Sequence, residues 1–187
     1  MVARSTPSKS ITELLSSKIR TIPNYPKPGI MFRDITTLLK DAEGLNLVIN
    51  ELANRYMKDH FDLVVGIEAR GFILGAALAH KLGKGFVPVR KKGKLPGPTV
   101  GVAYTLEYGT DYIEIHTDAI ARGQKVLLVD DLIATGGTAL GAAQLIRQVG
   151  GEIVEAVFVI DLPELQGGKK LTKEGIPYYA MLEFEGE

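Results

Sequence analysis

The chain has 187 residues, 45% of them apolar, enough to bury one sizeable core and short for two, so a single domain over residues 1–187 is expected. Lys plus Arg and Asp plus Glu number 22 each, so no net field marks a nucleic-acid or membrane-surface protein, and a small ligand is the expected partner. The lack of cysteine excludes a disulfide scaffold and a thiol nucleophile; with no apolar run near the roughly 20 residues of a membrane span and no signal-peptide core, the expected location is the cytoplasm.

Residues 1–9 are mostly small and polar and read as a flexible tail. Ser10 then opens a short amphipathic helix with Ile11, Leu14, Leu15 and Ile19 on its apolar face and Glu13 completing a capping box. Pro23, Pro26, Pro28 and Gly29 break regular structure before the strand Ile30 to Thr36, where the plain structural reading is an Arg33 to Asp34 pair or a surface edge strand. Glu43 to His60 has the spacing of a packing helix. Asp62 to Ile67 reads as a buried strand that ends in Glu68-Ala69-Arg70-Gly71 ahead of an Ala- and Leu-rich helix from Phe72 to Leu82. Polar groups at the carboxyl end of such a strand lie where open α/β sheets bind ligands.

Gly85 to Val89 is a third strand, followed by Arg90-Lys91-Lys92-Gly93-Lys94, four cations in five residues, which reads as an irregular basic loop at the same edge. Thr99 to Thr105 and Asp111 to His116 predict a hairpin with Glu107 and Tyr108 near its junction. Val126 to Val129 is an unbroken β-branched and Leu run, the pattern of a parallel strand covered on both faces. Asp130 and Asp131 are too costly for that core, so the chain is expected to reach the sheet edge there. Ala134-Thr135-Gly136-Gly137-Thr138 leads into a helix from Ala139 to Val149. Each part suits a ribose 5-phosphate. Gly136 and Gly137 can adopt positive φ and let N–H groups close on an anion, the helix start adds its dipole, and two carboxylates accept from sugar hydroxyls.

Gly151 to Ile160 is a further buried strand, Asp161 to Leu165 leaves its end, and Ile176 to Phe184 supplies a last strand. His60, His80 and His116 have no metal or nucleophile partners at a useful spacing and read as structural. The expected fold is α/β: an open, mostly parallel sheet flanked by helices, with a small hood from about residues 10–40 and 161–187.

The stretch Val126 to Thr138 resembles the phosphoribosyl pyrophosphate (PRPP) signature of the type I phosphoribosyltransferases. It is no Walker A loop, because no lysine follows the glycines. Ala134 and Gly137, where members acting on hypoxanthine or guanine usually carry Asp and often Lys, bring it nearer to those acting on adenine. The segments Pro28 to Asp34 and Leu106 to Gly109 resemble the same group. The resemblance implies transfer of phosphoribose from PRPP to adenine, giving AMP and pyrophosphate, with Mg2+ carried by PRPP and water near Asp130 and Asp131.

It further implies a homodimer and a set of site residues. Asp130 and Asp131 would hold the ribose, and Ala134 to Thr138 the 5′-phosphate. Glu68, Ala69, Arg70 and Gly71, in a loop that often holds a strained peptide in the family, would cradle pyrophosphate together with Arg90, Lys91 and Lys94. Ile30, Met31, Arg33 and Leu162 would border the base, Glu107 would transfer the purine proton, Arg70 would act with it in catalysis, and Tyr108 would order the closed loop. A sister transferase using another base such as xanthine and a PRPP-sensing regulator remain as alternatives; a PRPP synthase carries a similar signature but would need a second, ATP-binding half.

Overall fold

The computed structural model describes residues 7–106 and 109–186. Its central strands are β3 (Leu63–Ile67), β4 (Gly85–Lys91), β7 (Lys125–Ile133) and β8 (Glu152–Asp161), extended on one side by β9 (Tyr178–Glu183) and on the other by the hairpin β5 (Thr99–Leu106) and β6 (Gly109–His116). The seven strands lie in the order β5-β6-β4-β3-β7-β8-β9. From β4 to β9 neighbours run parallel, while β6 is antiparallel to both β4 and β5. The expected open, mostly parallel sheet is therefore present.

Two-sided burial explains the apolar runs. Leu127 and Val129 of β7 join Val64, Val157 and Val159 in a core under α1 (Lys9–Ser17), α3 (Ala42–Tyr56) and α4 (Arg70–Leu82). Val126 and Leu128, pointing the other way, join Val65, Ala156 and Phe158 beneath α5 (Gly137–Gln148). Alternate residues thus go to opposite cores, and no position in the run is left for a polar side chain.

The connections fix where a ligand can bind. From β3 the chain passes through α4 to β4, and from β7 it passes through α5 to β8 in the opposite direction along the sheet. The order reverses between β3 and β7, so their carboxyl ends diverge into a crevice.

A separate ribbon, β1 (Arg20–Pro23) paired with β2 (Met31–Asp34), and the short α2 (Thr36–Lys40) precede α3. Arg33 ties the ribbon to the chain end: its guanidinium lies 4.8 Å from the Phe184 ring centre and donates to the Glu185 carbonyl (2.8 Å). The last strand belongs to the main sheet, and the residues just beyond it reach the ribbon. A turn of 3-10 helix (Pro163–Leu165) and α6 (Gly167–Lys173) connect β8 to β9.

Several local expectations are corrected. Helix α1 starts at Lys9 behind Ser8, with no side-chain cap, and Glu13 faces Lys9 (3.9 Å) instead of closing a capping box from Ser10. Helix α3 stops at Tyr56, and its cap is Asp41, whose carboxylate accepts from the Gly44 N–H (2.8 Å). Asp34 pairs with Arg20, not Arg33; adjacent strand residues point to opposite faces, whereas Arg20 lies opposite Asp34 in the ribbon register. Thr36 and Arg20 together hold the Asp34 carboxyl at about 2, well below its ordinary value.

Candidate active site

Strand β7 does not end at Asp130. It continues to Ile133 against β8, while its pairing with β3 stops at Val129. This step answers how two acids can follow a buried run: they remain in a strand, but on one flank their neighbour has gone and a cleft begins. Asp131 is buried and Asp130 half-buried.

The cleft encloses about 340 Å³ and is lined by Glu68, Ala69 and Arg70 on the β3 side, by residues 130–139 on the β7 side, and by Tyr104 from the hairpin. Eight expected ligand-binding positions besides the acids thus share one concavity with them: Glu68, Ala69, Arg70 and the whole of Ala134 to Thr138. Gly136 takes φ +81° and caps α5, so the helix begins at Gly137, two residues before the expected start. Gly137 itself needs no positive φ. A glycine-bearing turn that opens directly into a twelve-residue helix presents unpaired N–H groups and a partial positive charge to the cleft.

The charges in the cleft are coupled. Arg70, the first residue of α4, reaches Asp131 with Nε 2.5 Å from Oδ2. Burial opposes the charge on Arg70, but Asp131 outweighs it and raises the guanidinium above its usual range. Burial, and then the neighbouring Asp131, push the Asp130 carboxyl well above the ordinary carboxylate value. An ionised pair here is costly until hydroxyl donors or a cation arrive.

Other expected site residues are placed differently. Gly71 is not part of the cleft wall; a Cβ there would meet the Val129 carbonyl at 2.8 Å and Asp130 Oδ1 at 2.9 Å, so glycine lets α4 lie against β7. The carboxylate of Glu68 accepts from Arg90 Nε (3.3 Å) and the Lys91 N–H (2.9 Å), which makes it a tether for the basic segment. Burial works to raise the Glu68 carboxyl, yet these donors hold it below its usual value.

Arg90 and Lys91 still belong to β4, because their backbones pair with Glu114 and Ile113 of β6; the irregular part starts later than the charges do. Lys91 Nζ sits 3.1 Å from Asp111, and the Lys94 N–H donates to Glu114. Arg90, Lys91 and Lys94 are absent from the cleft wall. The Glu68–Ala69 peptide is cis.

At the hood, Ile30 is half-buried, Met31 is 38% exposed and Leu162 is buried, with its N–H bonded to the Ile133 carbonyl (3.0 Å) just before the glycine turn. Arg33 Nη1 donates to Thr21 (2.6 Å), and its buried Nε has no partner among the described residues. Glu107 and Tyr108 lie outside the described residues. Tyr104 was missed in the sequence, where it reads as an ordinary hairpin residue. Its ring is buried, and its hydroxyl meets Asp111 (3.3 Å) and Thr138, so it connects the hairpin to the glycine turn at the start of α5.

Paired carboxylates, a glycine turn capping a helix and an arginine-headed helix across one crevice define an α/β protein built to hold a phosphorylated sugar. Residues 36–176 match the phosphoribosyl transferase domain. The chain is 58% identical over 175 residues to the adenine phosphoribosyltransferase of Chlorobium phaeobacteroides (strain BS1), covering 92% of this chain and 99% of that one. It is 60% identical over 172 residues to that of Rhodopseudomonas palustris (strain BisB18), covering 92% and 86%.

Among solved structures, adenine phosphoribosyltransferase from Thermoanaerobacter pseudethanolicus ATCC 33223 superposes with a TM-score of 0.88 at 48% identity, covering 92% and 99% of the two chains. The Saccharomyces cerevisiae enzyme, complexed with D-2,5-dideoxy-2,5-imino-altritol 1,6-bisphosphate and adenine, gives 0.86 at 38% identity, covering 94% and 100%. The chain belongs to the adenine phosphoribosyltransferase family.

Proposed function

We propose that this enzyme joins adenine to the phosphoribosyl group of PRPP, forming AMP and releasing pyrophosphate in purine salvage. The observation that carries the reading is the single cleft in which Asp130, Asp131 and residues 134–138 face Arg70. In the reaction the bond from C1 of the ribose to pyrophosphate breaks, the leaving group takes the electron pair, and N9 of adenine bonds to C1 and gives up its proton. Charge therefore grows on pyrophosphate and on the sugar ring together, as in glycosyl transfer generally.

The residues divide the work. The N–H groups and hydroxyls of residues 134–138 hold the 5′-phosphate, and Asp130 and Asp131 accept from the ribose hydroxyls, which fixes the sugar and lowers the entropic part of the barrier. Arg70 stabilises the departing pyrophosphate, with Ala69 beside it and Arg90, Lys91 and Lys94 arriving from the strand that Glu68 tethers. Ile30, Met31, Arg33 and Leu162 border the adenine; the unpartnered Nε of Arg33 supports this, since a base edge offers it an acceptor. Glu107 receives the purine proton and Tyr108 orders the closed site.

Mg2+ would be held by pyrophosphate and sugar oxygens and by water, with the carboxylates of Asp130 and Asp131 nearby favouring a cation. When bound, the cation neutralises the pyrophosphate. A homodimer in the cytoplasm completes the proposal. Ile73, 49% exposed on α4 three residues from Arg70, and Tyr112, 46% exposed on the hairpin, supply apolar surface near the site that a second copy would cover. Conversion of radiolabelled adenine to AMP tests the reading. Product should form only with both PRPP and Mg2+; product from xanthine and none from adenine would overturn it.

A further inference from the structure

The loop that faces the 5′-phosphate also has a back, and the start of α6 is built against it. The Gly167 N–H donates to the Ala134 carbonyl (3.0 Å). A Cβ on Gly167 would stand 2.4 Å from the Ala134 carbonyl oxygen, 2.7 Å from Cγ1 of Ile133 and 2.8 Å from the Gly136 nitrogen. Seen from the loop, a Cβ on Gly136 would meet Gly167 at 3.0 Å. One residue on, a Cβ on Gly168 would lie 2.2 Å from Cζ of Tyr178, whose hydroxyl meets the buried Asp161 carboxylate at 3.3 Å. The first turn of α6 is thus wedged between the β9 side chain and the phosphate loop, with glycine on both sides of the wedge.

A charge accompanies the wedge. Lys170, a turn further along α6, donates from Nζ to the Thr135 carbonyl (2.9 Å). That carbonyl belongs to the Thr135–Gly136 peptide, and both residues line the cleft. A cation on the carbonyl side of a peptide polarises it and strengthens its N–H as a donor, and it also places positive charge behind the bound anion. Plain packing would need neither a lysine directed at a loop carbonyl nor a glycine held so close to the loop's main chain.

We propose that Gly167 and Lys170 are positioning residues for the ribose 5-phosphate half of PRPP: Gly167 sets where the loop stands and Lys170 sets how strongly its peptide binds the anion. The proposal rests on the phosphoribosyl-transfer reading, and it predicts that the two halves of PRPP respond differently. In Lys170→Met, KM for PRPP and the inhibition constant of ribose 5-phosphate should each rise about fivefold, the scale of one charge-assisted hydrogen bond at a partly solvated site. Turnover, KM for adenine and the inhibition constant of pyrophosphate should stay within about twofold, since only binding at the other end is altered. Lys170→Arg keeps a cation within reach and should recover most of the loss.

Gly167→Ala should move the same two constants by about 100-fold or more, because the clash falls on backbone and strand atoms that cannot move aside. Should that variant fold poorly, as its melting temperature would reveal, the lysine pair still decides. Four unchanged constants in Lys170→Met would overturn the inference, as would a parallel rise in all four, which is the mark of general loosening. Calorimetric binding of ribose 5-phosphate separates this from the reading beneath it. A wild-type chain that binds the sugar phosphate yet makes no AMP ends the transfer reading, while the variants still test the positioning.

Discussion

At the β7 end of the cleft a ligand meets mostly main chain: the turn of residues 134–138, capped by Gly136 and backed by Gly167, together with two acids held inside a strand. At the end of β4, outside the cleft wall, the cationic groups are long side chains, and two of them are already paired with acids. Arg90 rests on Glu68 and Lys91 on Asp111. On the proposed reading, the difference teaches that one half of the substrate would be bound by preorganised geometry and the other by charges that must change partners. Preorganised donors cost nothing to align at the moment of reaction, whereas ion-paired side chains must first be released. Arg70 stands between the two regimes, fixed by its place at the start of α4 but already paired with Asp131.

Substitutions can break this comparison or sharpen it. The largest effect is expected from Glu107→Ala, which should lower turnover about 100-fold or more while PRPP affinity barely changes, in line with a lost proton-transfer group. Wild-type turnover in single-turnover kinetics would remove Glu107 from the chemistry. Next, Asp131→Asn should weaken PRPP binding about 10- to 100-fold, because it loses charge-assisted bonds to the sugar and unpairs Arg70. Unchanged affinity by calorimetry would count against the ribose assignment.

Lys91→Ala tests the other regime. Its effect on KM for PRPP should be only about fivefold and should fade as salt rises, as expected for an exposed charge. A large, salt-independent loss would mean that the β4 end is as preorganised as the β7 end.

The smallest expected effect is on stability, and it has the opposite sign. The Asp130 carboxyl is raised by burial and by Asp131, so the folded chain favours its neutral form. Its contribution is favourable below the unfolded carboxylate value and is lost as pH rises through the raised one. At neutral pH Asp130→Asn should therefore stabilise the fold by about 1 kcal/mol, a few degrees in melting temperature, while PRPP binding weakens. The advantage over wild type should disappear on acidification, and thermal melts at pH 4 and 8 check both signs. Asp34 behaves oppositely: its carboxyl is lowered to about 2, so the stability it confers is present near neutrality and lost as pH falls toward that value.

The same division governs how much was legible in the sequence. Runs such as Val126 to Val129 disclose their strand because every residue is buried on one face or the other, and the acids that follow disclose the sheet edge. Residues 134–138 are readable because a turn and a helix cap are local chemistry. What could not be read depends on pairings between distant segments. That Asp34 would choose Arg20 follows from the register of the β1–β2 ribbon, and that Gly71 would pack on β7 and Glu68 would hold the basic strand follows from packing between segments farther apart in the chain.

Tyr104 and Gly167 escaped for the same reason, since nothing beside them in sequence marks a turn at residues 134–138 about 30 residues away. The extension of β7 past Asp130 is subtler. Two carboxylates argue against a core but not against a strand whose neighbour on one side has ended.

A crystal structure with AMP bound tests the division most directly. The phosphate should rest on residues 134–138 with the ribose hydroxyls toward Asp130 and Asp131, and the loop should superpose closely on its empty form. A phosphate lodged against Arg90, Lys91 or Lys94 instead would contradict it.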